Sequence, residues 1–214
     1  MQRRDFSRAV LGATAAGTLG AWLPTAAWAQ GSGLREGSDY RRLARPAPVD
    51  APAGKVEVIE FFAYTCVHCY NFEPAFKDWM KTVPGHVVAR RSPVGFNASF
   101  EPLQRLYFTL EALGQLDALH DRVFKAIHQD RVRLNNADAI IAWAAAQGLN
   151  QAQFTQTFNS FGVAGKVKRA NQLQDAYEVE ATPSLGIAGR YYVPGQAART
   201  LTVANALIQE ARKG

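Results

Sequence analysis

Val56-Glu57-Val58-Ile59-Glu60-Phe61-Phe62 runs through Ala63-Tyr64-Thr65 into Cys66-Val67-His68-Cys69-Tyr70-Asn71-Phe72-Glu73-Pro74. The first seven residues are β-branched, aromatic and acidic in a pattern that suits a buried central strand. Beyond the cysteines, Tyr70, Phe72, Phe76, Trp79 and Met80 fall at helical spacing, so the cysteine pair opens a helix. A second strand over His86 to Arg91 completes a βαβ unit.

Downstream, Pro102 to Tyr177 changes to successive amphipathic helices. Leu103, Leu106, Tyr107 and Leu110 mark the first, and Leu116, Leu119, Val123 and Ile127 the second. Asn136 and Asn150 predict the N-caps of two more, with Gly148 ending the earlier one, and Val163, Val167, Ala170 and Leu173 mark a fifth. Strand character returns over Pro183 to Ala188, and Gly189 turns the chain into Arg190 to Val193 as a hairpin. A last helix is predicted from Thr200 to Arg212. The order is βαβ, a helical block, then ββα.

Upstream, residues 30 to 54 read as a Gly-, Pro- and Arg-rich linker with one edge strand. Residues 1–29 carry Arg3-Arg4-Asp5-Phe6, an uncharged Ala- and Gly-rich stretch, and Ala27-Trp28-Ala29. That is a positive head, an apolar middle and a small-residue cleavage site, with the paired arginines of a twin-arginine export signal. Its loss would remove three arginines and one aspartate, lowering the formal charge from +6 to +4. No dense Lys/Arg run remains of the kind that marks a nucleic-acid surface.

With 214 residues and 48% hydrophobic content, the chain can bury a large core without crosslinks. Exported proteins usually use cysteines as a structural framework, yet there are only two here, three positions apart. A bridge that short closes almost no loop and stabilises little, so reactivity explains the pair better.

The two chemistries open to such a pair are redox and metal binding. A structural zinc site needs four ligands, no second cysteine pair exists, and His68 lies inside the motif, leaving only the distant His86, His120 and His128. A redox site needs a cysteine whose thiolate is favoured and a second one to resolve a mixed disulfide. Cys66 at a helix start would face unpaired backbone N–H groups and the positive end of the helix dipole, with Cys69 one turn in and deeper. Each unit of pKa lowering at Cys66 favours the reduced form by about 1.4 kcal/mol, or about 30 mV for two electrons. Such a site oxidises other proteins.

The whole run Glu60 to Glu73 resembles the DsbA family of periplasmic dithiol oxidases, and the likeness extends over the chain after residue 29. It implies an α/β, thioredoxin-like fold with an inserted all-helical domain: residues 30–98 and 177–214 form the thioredoxin-like part, 99–176 the insert and 1–29 the export signal. By the same resemblance Glu60 is a buried acid that moves a proton at the deeper cysteine, and it joins Cys66, Cys69 and His68, which can add a donor or a positive charge between them, as the catalytic set. Glu73 matches a second acid under the active-site helix, with Arg91 as its basic partner. Thr182-Pro183 matches the cis-proline loop that faces the cysteines and binds substrate. Val67 stands where other members have proline and Thr182 where strong oxidants have valine, and both positions tune redox strength in the family.

The resulting expectation is a monomeric periplasmic oxidase that passes its Cys66–Cys69 disulfide to reduced exported proteins. It needs no cofactor or metal, does not bind nucleic acid, and is reoxidised by a quinone-linked membrane protein of DsbB type. A reductase or isomerase is the nearest alternative and a thiolate metal-binding module a more distant one.

Overall fold

The computed structural model describes residues 33–213, and the export segment expected over 1–29 lies outside them. Five strands and seven helices follow in the order β1 (Arg41–Arg42), β2 (Val56–Phe62), α1 (Val67–Thr82), β3 (Val87–Pro93), α2 (Glu101–Ala112), α3 (Leu116–His128), α4 (Ala137–Ala146), α5 (Gln151–Phe158), α6 (Phe161–Ala176), β4 (Ser184–Ile187), β5 (Tyr191–Pro194) and α7 (Ala198–Ala211).

The strands form one sheet in the order β1-β5-β4-β2-β3, with β2 parallel to β3 and antiparallel to β4. Because β2 has a strand on each side and cover on both faces, all seven of its residues are buried, Glu57 and Glu60 among the apolar ones included. Val56 and Val58 pack with Phe72, Phe76 and Trp79 of α1 and with Val203 and Leu207 of α7. On the other face Ile59 and Phe61 meet Leu173 and Tyr177 at the end of α6. Full burial of Phe76 alone contributes about 1.5–3 kcal/mol.

Phe62 at the end of β2 and Tyr64 just beyond it enter a third core shared with α2 to α6, and Cys69 lies in that same core. The buried cysteine is thus packed by the helical block as well as by the sheet. Asn136 and Asn150 cap α4 and α5 as expected, and Gly148 adopts the left-handed φ of +89° just beyond α4. β3 runs two residues past the predicted Arg91 because Ser92 and Pro93 still pair with Phe61 and Phe62, and the Pro93 carbonyl is taken by the Gln104 side chain at 2.9 Å.

Within β4, Gly186 has a steric role. A Cβ at this position would lie 2.4 Å from the ring of Tyr177, whose hydroxyl accepts the Gly189 N–H at 2.9 Å and so is anchored. Overpacking of this kind costs about 1–3 kcal/mol. Gly186→Ala is expected to lower stability by that amount, read as a fall in the urea midpoint with an unchanged slope; an unchanged midpoint would show that Tyr177 can move aside.

Candidate active site

Cys66 is the N-cap of α1, and its Sγ accepts the backbone N–H of Cys69 at 3.4 Å. The first turn of the helix carries no acidic side chain to compete for its free N–H groups, so they remain available to a sulfur anion. The Thr182–Pro183 bond is cis, and the Thr182 carbonyl accepts from the Cys66 thiol at 3.4 Å. Both cysteines are free thiols, Cys66 half-buried and Cys69 fully buried.

This geometry divides the two sulfurs electrostatically. A hydrogen bond from the Cys69 thiol lowers the Cys66 thiol to about 5, burial opposing, with further help from the Thr182 side chain and the backbone N–H groups of Cys69 and His68. The same bond, together with burial, pushes Cys69 far above the usual thiol range. At neutral pH the pair holds one thiolate, at the half-buried Cys66, and one proton, at the buried Cys69.

Beneath the helix lies a cluster of buried charge. Glu60 and Arg91 are register partners on β2 and β3, so their side chains share a face. Arg91 forks onto Glu73 of α1 with bonds of 3.1 and 2.5 Å, while its Nε lies 3.3 Å from Glu60 Oε2. That second contact lacks hydrogen-bond alignment, and Glu60 Oε2 has no hydrogen-bond partner. Burial, and after it the charge of Glu73, pushes the Glu60 carboxyl up to about 8 despite Arg91. Arg91 is held above its ordinary value by the two acids, which outweigh its own burial, and its guanidinium lies 5.2 Å from the centre of the Phe76 ring.

The structure therefore brings the sequence-predicted residues together in two groups: half-buried Cys66 and Thr182 with buried Cys69 and Pro183 at the start of α1, and Glu60, Glu73 and Arg91 below. Val67 and His68 are exposed on the first turn of α1. His68 lines a cleft of about 530 Å³ with Phe72, Thr182, Pro183 and Pro194, a cleft that none of the buried acids lines. Among the described residues no group of three or more His, Cys, Asp or Glu is placed to hold a metal ion.

Three further residues converge here that sequence reasoning left out. The hydroxyl of buried Tyr64 lies 2.7 Å from Nδ1 of His120, whose Nε2 is 3.3 Å from Glu73, and His128 bonds the Tyr64 carbonyl at 2.8 Å. The available signal was His120 itself, a polar residue within the apolar stripe of α3 beside Leu119 and Val123.

Residues 92–207 match the family model described as a DSBA-like thioredoxin domain. The thiol:disulfide interchange protein DsbA of Bordetella parapertussis is 42% identical over the full length of both chains, and that of Pseudomonas aeruginosa is 34% identical over 86% of this chain and 89% of its own. Among solved structures, a point variant of Pseudomonas aeruginosa DsbA superposes with a TM-score of 0.81 at 32% identity, covering 85% of this chain and all of that one. The oxidoreductase DsbA of Xylella fastidiosa superposes with a TM-score of 0.79 at 30% identity, covering 85% of this chain and 99% of that one. With its acidic helix-capping cysteine, its buried partner and a thioredoxin-like sheet beneath them, this chain belongs to the DsbA family of thiol:disulfide interchange proteins, which are thiol–disulfide oxidoreductases.

Proposed function

We propose that this protein is a periplasmic dithiol oxidase that gives its Cys66–Cys69 disulfide to reduced exported proteins. A substrate thiolate attacks Cys66 Sγ; the Cys66–Cys69 bond breaks and its electron pair goes to Cys69, which takes up a proton. The substrate's second thiolate then attacks the substrate sulfur of the mixed disulfide and expels Cys66 as a thiolate. Two electrons have moved from the substrate dithiol to the cysteine pair, and the substrate leaves oxidised. Stability of the expelled thiolate drives the last step, because a leaving group of low pKa departs faster.

In this reading Glu60, with its free Oε2, supplies and removes the proton at Cys69, and Glu73 and Arg91 hold it there. Thr182 and Pro183 present backbone to an extended substrate segment beside the cleft. Val67 and His68 tune the first turn of the helix. The disulfide is the only redox group required, the working unit is a monomer, and the spent dithiol returns its electrons to a quinone-linked membrane protein of DsbB type. The export signal read over residues 1–29 supports the periplasmic location, and no helix among the described residues is long and apolar enough to cross a membrane.

The observation that carries this reading is the opposite displacement of the two thiols, with Cys66 near 5 and Cys69 far up. It has a consequence for pH. Reducing the disulfide takes up two protons below about pH 5 but only one above it, since Cys66 then stays ionised. The thiolate therefore favours the reduced form above that midpoint, and the preference is lost as pH falls through it. Measured against glutathione, whose thiols stay protonated to about pH 8.5, the equilibrium should be flat below pH 5. It should then move toward reduced protein by about tenfold per pH unit up to about pH 8. Ultraviolet titration of the thiolate should show the same midpoint. A flat profile with an ordinary thiol midpoint would favour the reductase or isomerase reading instead.

A further inference from the structure

Helix α3 presents two histidines, two turns apart, to a single residue of the active-site loop. A carbonyl can only accept, so His128 donates from Nε2 to Tyr64, while its ring stacks on Tyr70 at 4.9 Å and 11°. His120 faces the Glu73 carboxylate with Nε2 and the Tyr64 hydroxyl with Nδ1. The consistent assignment is the neutral ring donating to Glu73 and accepting from Tyr64. Burial holds His120 below its ordinary value, in agreement with that form. The charged groups around it are Glu73 from α1, Arg91 from β3 and Asp121 on its own helix, with the Tyr107 ring from α2 completing the cage.

The residue so gripped adjoins the group that bonds both cysteines. Ala63 accepts the Cys66 N–H at 3.0 Å through its carbonyl, and its backbone also bonds the Cys69 sulfur. Any drift of Tyr64 moves Ala63, and with it the spacing of two sulfurs whose mutual hydrogen bond is the first source of Cys66 acidity.

We propose that His120 is a positioning residue for the redox reaction: acting through Tyr64 and Glu73, it fixes the Ala63–Thr65 turn and so makes the helical block a determinant of Cys66 thiolate stability. This rests on the oxidase reading of Cys66. It gives the helical block a part in setting redox strength, beyond shaping the surface.

The test uses the full mature protein with His120→Phe, which keeps ring volume and removes both hydrogen bonds, and Tyr64→Phe, which removes only the hydroxyl. The Cys66 titration midpoint should rise by about one pH unit in His120→Phe, with a roughly tenfold weaker thiolate preference at neutral pH, and by less in Tyr64→Phe. His120→Gln, which retains a donor and an acceptor, should restore most of the shift. Midpoints equal to the parent's in both Phe variants, alongside a lower melting temperature, would reduce His120 to packing and overturn the proposal. If His120→Phe does not fold, Tyr64→Phe alone decides. An ordinary midpoint in the parent would sink the oxidase reading, whereas the role of His120 is judged on the difference between variant and parent.

Discussion

Replacing Arg91 by methionine is expected to lower the unfolding free energy by about 3–5 kcal/mol at pH 7. Methionine can occupy much of the space of the arginine stem against Phe76, so the loss is chiefly electrostatic. Among the described residues Arg91 is the one cation in contact with both Glu60 and Glu73, which have side-chain exposures of 1% and 7%. Without it the Glu73 carboxylate loses its guanidinium partner in a site from which water is largely excluded, a case where removing one partner costs far more than the intact pair contributes. The sign with pH follows from Glu60. Its folded-state value is already raised to about 8, so stability attached to it is greatest below the ordinary carboxyl range and declines as pH rises toward 8. Loss of the arginine pushes it further up, so the penalty should be constant from pH 5 to 7, where Glu60 holds its proton in both proteins, and should widen above about pH 8, where only the parent's Glu60 ionises, by up to about 1.4 kcal/mol per pH unit. Urea unfolding of parent and variant at pH 5 and pH 9 measures this directly. An equal deficit at both pH values would mean that the penalty does not act through Glu60.

The contrast between this cluster and the cysteines shows which parts of the site are written locally in the chain. Cys66 and Cys69 share one helical turn, so their spacing and the cap position can be read from sequence alone. Glu60 is also readable, because an acid between Ile59 and Phe61 in a buried strand demands a reason. Its pairing with Arg91 required the register of β2 on β3, which residue patterns do not specify, and family likeness gave Arg91 as the partner of Glu73 alone. The Tyr64 to His120 bond spans 56 positions and depends on how α3 lies across the loop. Nothing in the local pattern of either segment encodes that crossing. The same holds at smaller scale for Ser160, which caps α6 by accepting the Val163 N–H at 3.2 Å, although the preceding Asn159 is an equally good capping residue.

Cys69→Ala should abolish disulfide donation, leaving no intramolecular bond to transfer, and should also weaken the remaining cysteine. The Cys69 thiol is the first contributor to the low value of Cys66, so the Cys66 midpoint should move up from about 5. Its alkylation rate at pH 6 should then fall with its thiolate fraction, by up to tenfold per unit of that rise. Mixed disulfides at Cys66 should meanwhile persist. A positioned thiol acts at an effective molarity on the order of 10⁵ M. Its removal should therefore lengthen the life of a glutathione adduct in the absence of added thiol, because the sequence carries no third cysteine to resolve it. Cys66→Ala supplies the opposite limit: the surviving Cys69 loses its bond to Cys66 but stays buried, and burial both favours its thiol form and keeps reagents out, so it should resist alkylation between pH 6 and 8 and form no adduct. Mass spectrometry of both variants after a glutathione disulfide pulse separates these outcomes. Comparable adducts on the two variants would contradict the assignment of one attacked and one resolving sulfur, because an accessible, acidic Cys66 and an enclosed Cys69 cannot react alike.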